Sequence, residues 1–343
     1  TLKDNFWEDS EKAQKTLKQI SKIKIWITSY NNVKTELDEL LILDEFLKEN
    51  ECTEKEVDNQ FNQIEQLLDH TLNSNKFLTW DELMTPLYKL GERLRWSWGV
   101  VSHLNGVCNT PELREAYSTQ QPEVIHLSNR IGQSKIIHKA LFILNEQSVQ
   151  DLDETQKRII DAELLSMNQR GVGLSESDQK EFNSDSEYLA KLSTDFSNNV
   201  LDATKNWSLL LTRKSEVEGL PHRALEILAA SAQEAGDIHQ INNHVPTAEN
   251  GPWKLGLDMP RYIPFMTHGV NRKIRETLYK AYVSRASDGK LNNKMLIEEI
   301  LKIRNIQAKR LGYQNWAELS LSTKMADNVD AVEKLLEELR AAA

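Results

Sequence analysis

No proline precedes Pro86 and no glycine precedes Gly91 in this chain of 343 residues. Both stay scarce throughout, with 13 glycines and 8 prolines in total. Turn-rich and strand-rich folds consume these residues, so their scarcity points to long, uninterrupted helices. Cysteine is nearly absent: Cys52 and Cys108 stand far apart and outside any C-x-x-C. That excludes a disulfide framework and fits a reducing compartment. No apolar run reaches the length of a membrane-spanning helix, and no membrane partner is expected. The opening TLKDNFWEDSEK reads as neither a secretory signal nor a basic transit peptide. The expected location is the cytoplasm, or an organelle stroma or matrix. Basic residues are in deficit, 42 Lys and Arg against 52 Asp and Glu, for a net charge of −10. Direct nucleic-acid binding is not expected, because phosphate recognition needs a basic face.

What is present divides into two compositions. Residues 1–69 hold nine Lys against sixteen Asp and Glu, so a fifth of the chain carries most of the net charge. Ser10 suits the cap of a first helix, whose apolar residues fall at Leu17, Ile20, Ile23, Ile27, Tyr30, Val33, Leu37 and Leu40. Steps of three and four place them on one stripe. Thr53 and Glu56 form a capping-box pattern, and Val57, Phe61, Ile64 and Leu68 repeat the stripe. The expected first domain is an acidic antiparallel helical hairpin over residues 1–69. Such a hairpin buries little by itself and must dock on something.

From Thr79 the rhythm changes. Thr79 and Glu82 form a second capping box, opening a helix that runs through LNGV with Gly106 as its C-cap. Thr110 caps the next helix, with Pro111 at its first position and Glu112 favoured by the helix dipole. Further helices are expected near 122–144, 153–169, 175–213, 221–236, 271–285 and 292–311. Four of the eight prolines cluster at 246, 252, 260 and 264 around the alternating run WKLGLDM. That predicts one short extended or β element near 252–266, crossing an otherwise all-α domain over residues 70–343.

Chemistry is hard to find. A zinc peptidase needs two histidines one helical turn apart with a glutamate between them. His70, His103, His126, His138, His222, His239, His244 and His268 contain no H-E-x-x-H and no pair four residues apart. His239 and His244 come nearest, in a polar loop, and read as solvated. His103 and Cys108 are the one nucleophile-like pair, with Cys108 just before a helix start that could lower its pKa. Packing is the plainer role for that cysteine. Glu298–Glu299 and Glu337–Glu338 read as solvated helix positions. Trp96, Trp98 and Trp253 are packing residues, with a peptide-binding groove as the sharper alternative. No catalytic, cofactor-binding or metal residue is assigned.

Several separated motifs occur in order: SHLNGVCNTPELREAY (102–117), QPEVIHLSNRIGQSK (121–135), FSNNVLDATKNW (196–207), TAENGPWKLGLDMPRYIPFM (247–266), AYVSRASDGKLNN (281–293) and RLGYQNWAELSLSTKMAD (310–327). Through them residues 70–343 resemble the N-terminal half of the thimet oligopeptidase/oligopeptidase A family, on its cyanobacterial and plant-organelle branch. The resemblance implies zinc-dependent cleavage of short peptides in a channel between two helical halves, with H-E-x-x-H and a downstream glutamate in the other half. It makes SHLNGVCNTPELREAY scaffold and gives His103 and Cys108 no catalytic role. The stretch NFWEDSEKAQKTLKQISKIKIWITSYNNVKTELDELLILDEF resembles the N-terminal helical domain of bacterial-type peptide chain release factor 2, without that family's Gly-Gly-Gln or Ser-Pro-Phe.

The chain therefore reads as a chimera of two truncated families. The expected function is an oligopeptidase-derived substrate-channel half, inactive alone, with short peptides or a completing catalytic half as partners and zinc belonging to the family rather than to these residues. The alternatives are a ribosome-associated protein acting through the acidic hairpin, and a non-functional scaffold that self-associates through uncovered apolar surface.

Overall fold

The computed structural model describes residues 52–74, 78–147, 152–237 and 245–342. The Ser10-capped helix and its stripe lie outside the described residues, as do His239 and His244. The described chain is mainly α-helical. Its elements are α1 (Cys52–Asn73), α2 (Trp80–Val107), α3 (Pro111–Gly132), α4 (Lys135–Gln147), α5 (Glu154–Gln169) and α6 (Glu176–Asn206), then β1 (Ser208–Leu211) and α7 (His222–Glu234). There follow β2 (Trp253–Gly256), α8 (Met259–His268), α9 (Arg272–Val283), α10 (Lys294–Arg310), α11 (Trp316–Leu321) and α12 (Val329–Ala342). Two compact units divide the chain: residues 1–100 with 146–148, and residues 101–145 with 149–343.

In the first unit, Phe61 and Leu68 of α1 are buried, as the stripe predicts. Thr53, expected as a cap, lies inside α1, and α1 runs on through the expected domain boundary at residue 69. The Thr79 capping box is present: the Glu82 amide donates to Thr79 Oγ1 at 3.3 Å, and the Thr79 amide donates to Glu82 Oε2 at 3.1 Å. Such a cap stabilises a helix by about 1 kcal/mol. Leu83, Met84 and Leu90 are the buried face that follows.

In the second unit, α6 is the spine, packed against α3 and α10. Leu192 of α6 buries with Ile300 and Ile303 of α10. Polar pins set the register: Gln307 Nε2 donates to Ser186 Oγ at 3.0 Å, and Arg310 reaches Asp185 at 2.8 Å and Glu181 at 2.5 Å. A second core gathers Leu211, Leu228, Trp253, Leu255, Phe265 and Leu278 from β1, α7, β2, α8 and α9, with Leu220 from the turn before α7. Each such side chain, fully buried, contributes about 1.5–3 kcal/mol relative to exposure. The Trp253 indole N–H donates to the Ala248 carbonyl at 3.3 Å, so its one polar atom is satisfied inside the core.

Several expectations need correction. The helix expected over 122–144 is two helices broken at Gln133–Ser134, and Pro122 lies inside α3. Gln133 makes the corner, its side chain donating to the Arg170 carbonyl at 2.8 Å and to Asn183 Oδ1 at 2.7 Å. Gly106 is not a C-cap: α2 passes through it, and the left-handed residue is Asn109 at φ 47°. Asparagine tolerates that conformation because its short side chain bonds locally. The helix expected to reach 213 stops at Asn206, and β1 takes Ser208–Leu211. β1 pairs antiparallel with β2, Leu209 opposite Leu255 and Leu211 opposite Trp253. The extended element near 252–266 is therefore half right, since residues 259–268 are helical. Pro260 sits in the first turn of α8, where its missing N–H costs no helix bond.

Candidate functional site

The first candidate, Ser102–Tyr117, folds into a clamp. Thr110 caps α3 by accepting from the Leu113 amide at 3.3 Å, and Pro111 starts the helix. Glu112 has its carboxyl held below the usual range, chiefly by a backbone hydrogen bond at the helix start. Arg114 forms a fork with Asp202 of α6, at 2.6 and 2.8 Å, and its Nε donates to Asn109 Oδ1 at 2.7 Å. Asn109, itself buried, donates through Nδ2 to the Asn105 carbonyl at 2.7 Å. Hydrogen bonds from Arg114 hold the Asp202 carboxyl below its ordinary value. The one ion pair here, Arg114 with Asp202, is bidentate and backed by Asn109, which is the pattern of a structural joint, although the buried Asn105 Oδ1 beside it has no partner. Cys108 is a free, exposed thiol in the turn after α2, His103 is exposed on α2, and no hydrogen bond joins them.

The remaining sequence candidates scatter. His70, His126, His222 and His268 are exposed on different helices. His222 faces Glu226 at 3.4 Å and Glu249 at 3.9 Å. Glu299 pairs with Lys302 at 3.6 Å and Glu337 with Arg340 at 2.7 Å, both exposed helix contacts. Trp253 is core, so it lines no groove, whereas Trp96 is 68% exposed on α2. A shallow groove of ≈ 290 Å³ in the first unit lies between Ile64 and Leu67 of α1 and Pro86 and Leu90 of α2, with Lys89 its one charged lining residue. Among the described residues no group of three or more His, Cys, Asp or Glu could hold a metal ion. The described residues do not fit a zinc site.

One surface has a different character. α8 and α9 form a helical hairpin closed by Gly269–Asn271, where the Gly269 amide bonds the Phe265 carbonyl at 2.9 Å and Asn271 caps α9. Phe265 and Leu278 anchor it in the core. At its open end Tyr262 of α8 stacks on Tyr282 of α9, ring centroids 4.2 Å apart. Burial, then the neighbouring Tyr282 and Tyr279, push the Tyr262 hydroxyl up. It stays protonated and able to donate at neutral pH. The Arg285 guanidinium lies 3.7 Å from the centre of the Tyr282 ring. Around this stack Ile263, Tyr279 and Val283 are more than half exposed. Sequence reasoning missed Arg285, although it lies in the AYVSRASDGKLNN motif.

The residue after Arg285 explains its placement. Ala286 is buried at φ 51°, a left-handed conformation that costs a non-glycine residue of order 1 kcal/mol or more. The Asn293 amide donates to the Ala286 carbonyl at 2.8 Å. The Asn293 side chain, also buried, donates to the Phe196 carbonyl at 3.1 Å and accepts from Asn199 at 2.9 Å. Asn199 and Asp202 of one motif thus hold Asn293 and Arg114 of two others.

The chain matches known families over the regions just described. Residues 53–179 match the family model for the neurolysin/thimet oligopeptidase N-terminal domain, and residues 265–343 match peptidase family M3. Over these two segments the chain is similar to the thimet oligopeptidase/oligopeptidase A family. A probable cytosolic oligopeptidase A of Arabidopsis thaliana is 43% identical over 265 residues, covering 77% of this chain and 37% of the relative. An organellar oligopeptidase A of the same plant, chloroplastic/mitochondrial, is 44% identical over 265 residues, covering 77% of the chain and 33% of the relative. Oligopeptidase A of Haemophilus influenzae is 37% identical over 294 residues, 84% of the chain and 40% of the relative. The chain thus spans between a third and two-fifths of the relatives it matches. The N-terminal match starts at residue 53, ahead of the expected boundary at 69, and the release-factor resemblance has no counterpart among these matches. Among the described residues no helix is long and apolar enough to cross a membrane.

Proposed function

We propose that this chain is a peptide-binding wall of an oligopeptidase-like protein, and that it binds short peptides without hydrolysing them. The observation that carries this reading is the exposed aromatic and apolar end of the α8–α9 hairpin, in and beside the segment that matches peptidase family M3. Aromatic faces with a few polar groups hold extended peptides without demanding one sequence. Hydrolysis needs an activated water, and the sequence contains no H-E-x-x-H to hold the metal that would activate it. The other half of such a fold would supply that chemistry. The exposed Leu335, Leu336 and Leu339 of α12 offer the apolar stripe that such a partner, or a second copy, would cover.

The test uses fluorescent, internally quenched peptides of five to ten residues with the full chain, with and without added zinc. Saturable binding with no rise in fluorescence from cleavage supports the reading. Turnover abolished by a chelator defeats the claim of inactivity, and absence of binding defeats the whole reading. The ribosome-directed alternative draws no support from the described residues, because residues 53–69 fall within the oligopeptidase match and residues 1–51 lie outside the description.

A further inference from the structure

Among the described residues, Arg285 has no carboxylate partner. Its charge rests on the Tyr282 ring at 3.7 Å, and its Nε is buried without a hydrogen-bond acceptor. Arg114, Arg261 and Arg310 of the second unit are matched, by Asp202, by Asp258, and by Asp185 with Glu181, whereas Arg304 shares the orphaned Nε but lies farther from its ring, 5.2 Å from the centre of Trp316. A guanidinium carries five donors in a planar fork, and an aromatic face beneath it uses none of them. No carboxylate among the described residues pairs with Arg285, although the chain is acidic overall. The strained Ala286 and the buried Asn293 fix the backbone beside it, so the fork is held where it is rather than free to seek a partner.

We propose that Arg285, with Tyr262 and Tyr282, is a carboxylate-recognition site that orients a bound peptide by its C-terminal carboxylate. This rests on the peptide-binding reading above and adds an anchor to it. The planar fork matches a carboxylate in bidentate fashion. The exposed Ile263, Tyr279 and Val283 would carry the adjoining apolar side chains. A cation–π contact that merely packs the hairpin is the competing account, and it gives no preference between a peptide acid and its amide.

The experiment is fluorescence anisotropy with the full chain and an N-terminally labelled pentapeptide, as the free acid, as the C-terminal amide, and as an amide carrying one internal Glu. The free acid is expected to bind about tenfold or more tightly than the plain amide. Arg285→Gln should remove that difference and Arg285→Lys should keep part of it, with circular dichroism confirming the fold of each. A Glu-bearing amide that binds like the acid assigns the site to side-chain carboxylates. Equal binding of acid and plain amide by the unaltered chain overturns the proposal while leaving peptide binding intact. Failure of all three peptides to bind overturns both.

Discussion

Arg114 and Arg285 are two part-buried arginines at helix ends of the same unit, and they are held in opposite ways. Arg114 spends its fork inside the protein, on Asp202 and on Asn109, and so joins α3 to α6. Arg285 lies flat on Tyr282 with its Nε unsatisfied, beside a residue in a left-handed conformation. Matched polar groups mark a joint, because breaking them leaves buried atoms without partners. A fixed but unmatched group keeps donors that a ligand could take up, which is the basis of the proposal for Arg285. The difference teaches that SHLNGVCNTPELREAY, the most chemically suggestive stretch of the sequence, has the geometry of a joint, while AYVSRASDGKLNN holds the better candidate for binding.

The hardest way to disturb both regions is through the core that seats the hairpin. Trp253→Ala removes a fully buried indole from a cluster that also holds Phe265 and Leu278. The expected loss is about 3–5 kcal/mol, read as a fall in the urea midpoint. Peptide binding should fail with it, since the hairpin loses its seat. A loss below 1 kcal/mol would mean that the two sheet strands and α7 are not the foundation of the hairpin.

Arg114→Met tests the joint. It leaves Asp202 and the Asn109 carbonyl oxygen without their donor, at about 1–3 kcal/mol, toward the lower end because the pair is 25% and 31% exposed. The pH dependence has a definite sign. The Asp202 carboxyl is held below its unfolded value, first by hydrogen bonds from Arg114, so its stabilisation is present above about pH 4 and is lost as pH falls through the folded value. Arg114→Met should flatten that acid limb in unfolding curves taken between pH 5 and 2. An unchanged limb would show that the fork contributes nothing in solution.

Much of the scaffold was legible in the sequence, and the reasons are local. Thr79 with Glu82 and Thr110 with Pro111 announce helix starts because capping is settled within four residues. Phe61 and Leu68 mark a buried face through their spacing alone. β1 was not legible, since Ser208–Leu211 is a short apolar run that reads equally as a helix end; its strand character comes from β2, over forty residues later. The helix start expected near residue 122 falls after Gln133 instead, where contacts to Arg170 and Asn183 make the corner. The candidate site was invisible for the same reason. Tyr279 and Tyr282 share a helix face by spacing, but their meeting with Tyr262, and the want of an acid near Arg285, exist only after the hairpin closes.

The smallest expected effect on stability is the most informative about that contrast. Arg285→Met keeps much of the apolar stem over Tyr282 and removes a buried donor that has no acceptor. Stability should therefore change by less than about 0.5 kcal/mol, because the lost cation–π attraction is offset by relief of the unsatisfied group. Measured beside Arg114→Met under the same conditions, the two substitutions remove the same charge from the same unit. If Arg285→Met costs as much as Arg114→Met, then Arg285 is a second joint, and its open fork is not held for a ligand. If it costs little while peptide affinity falls, the two arginines divide the work of the fold: one closes a joint, and the other is held at the surface for an acid that no described residue provides.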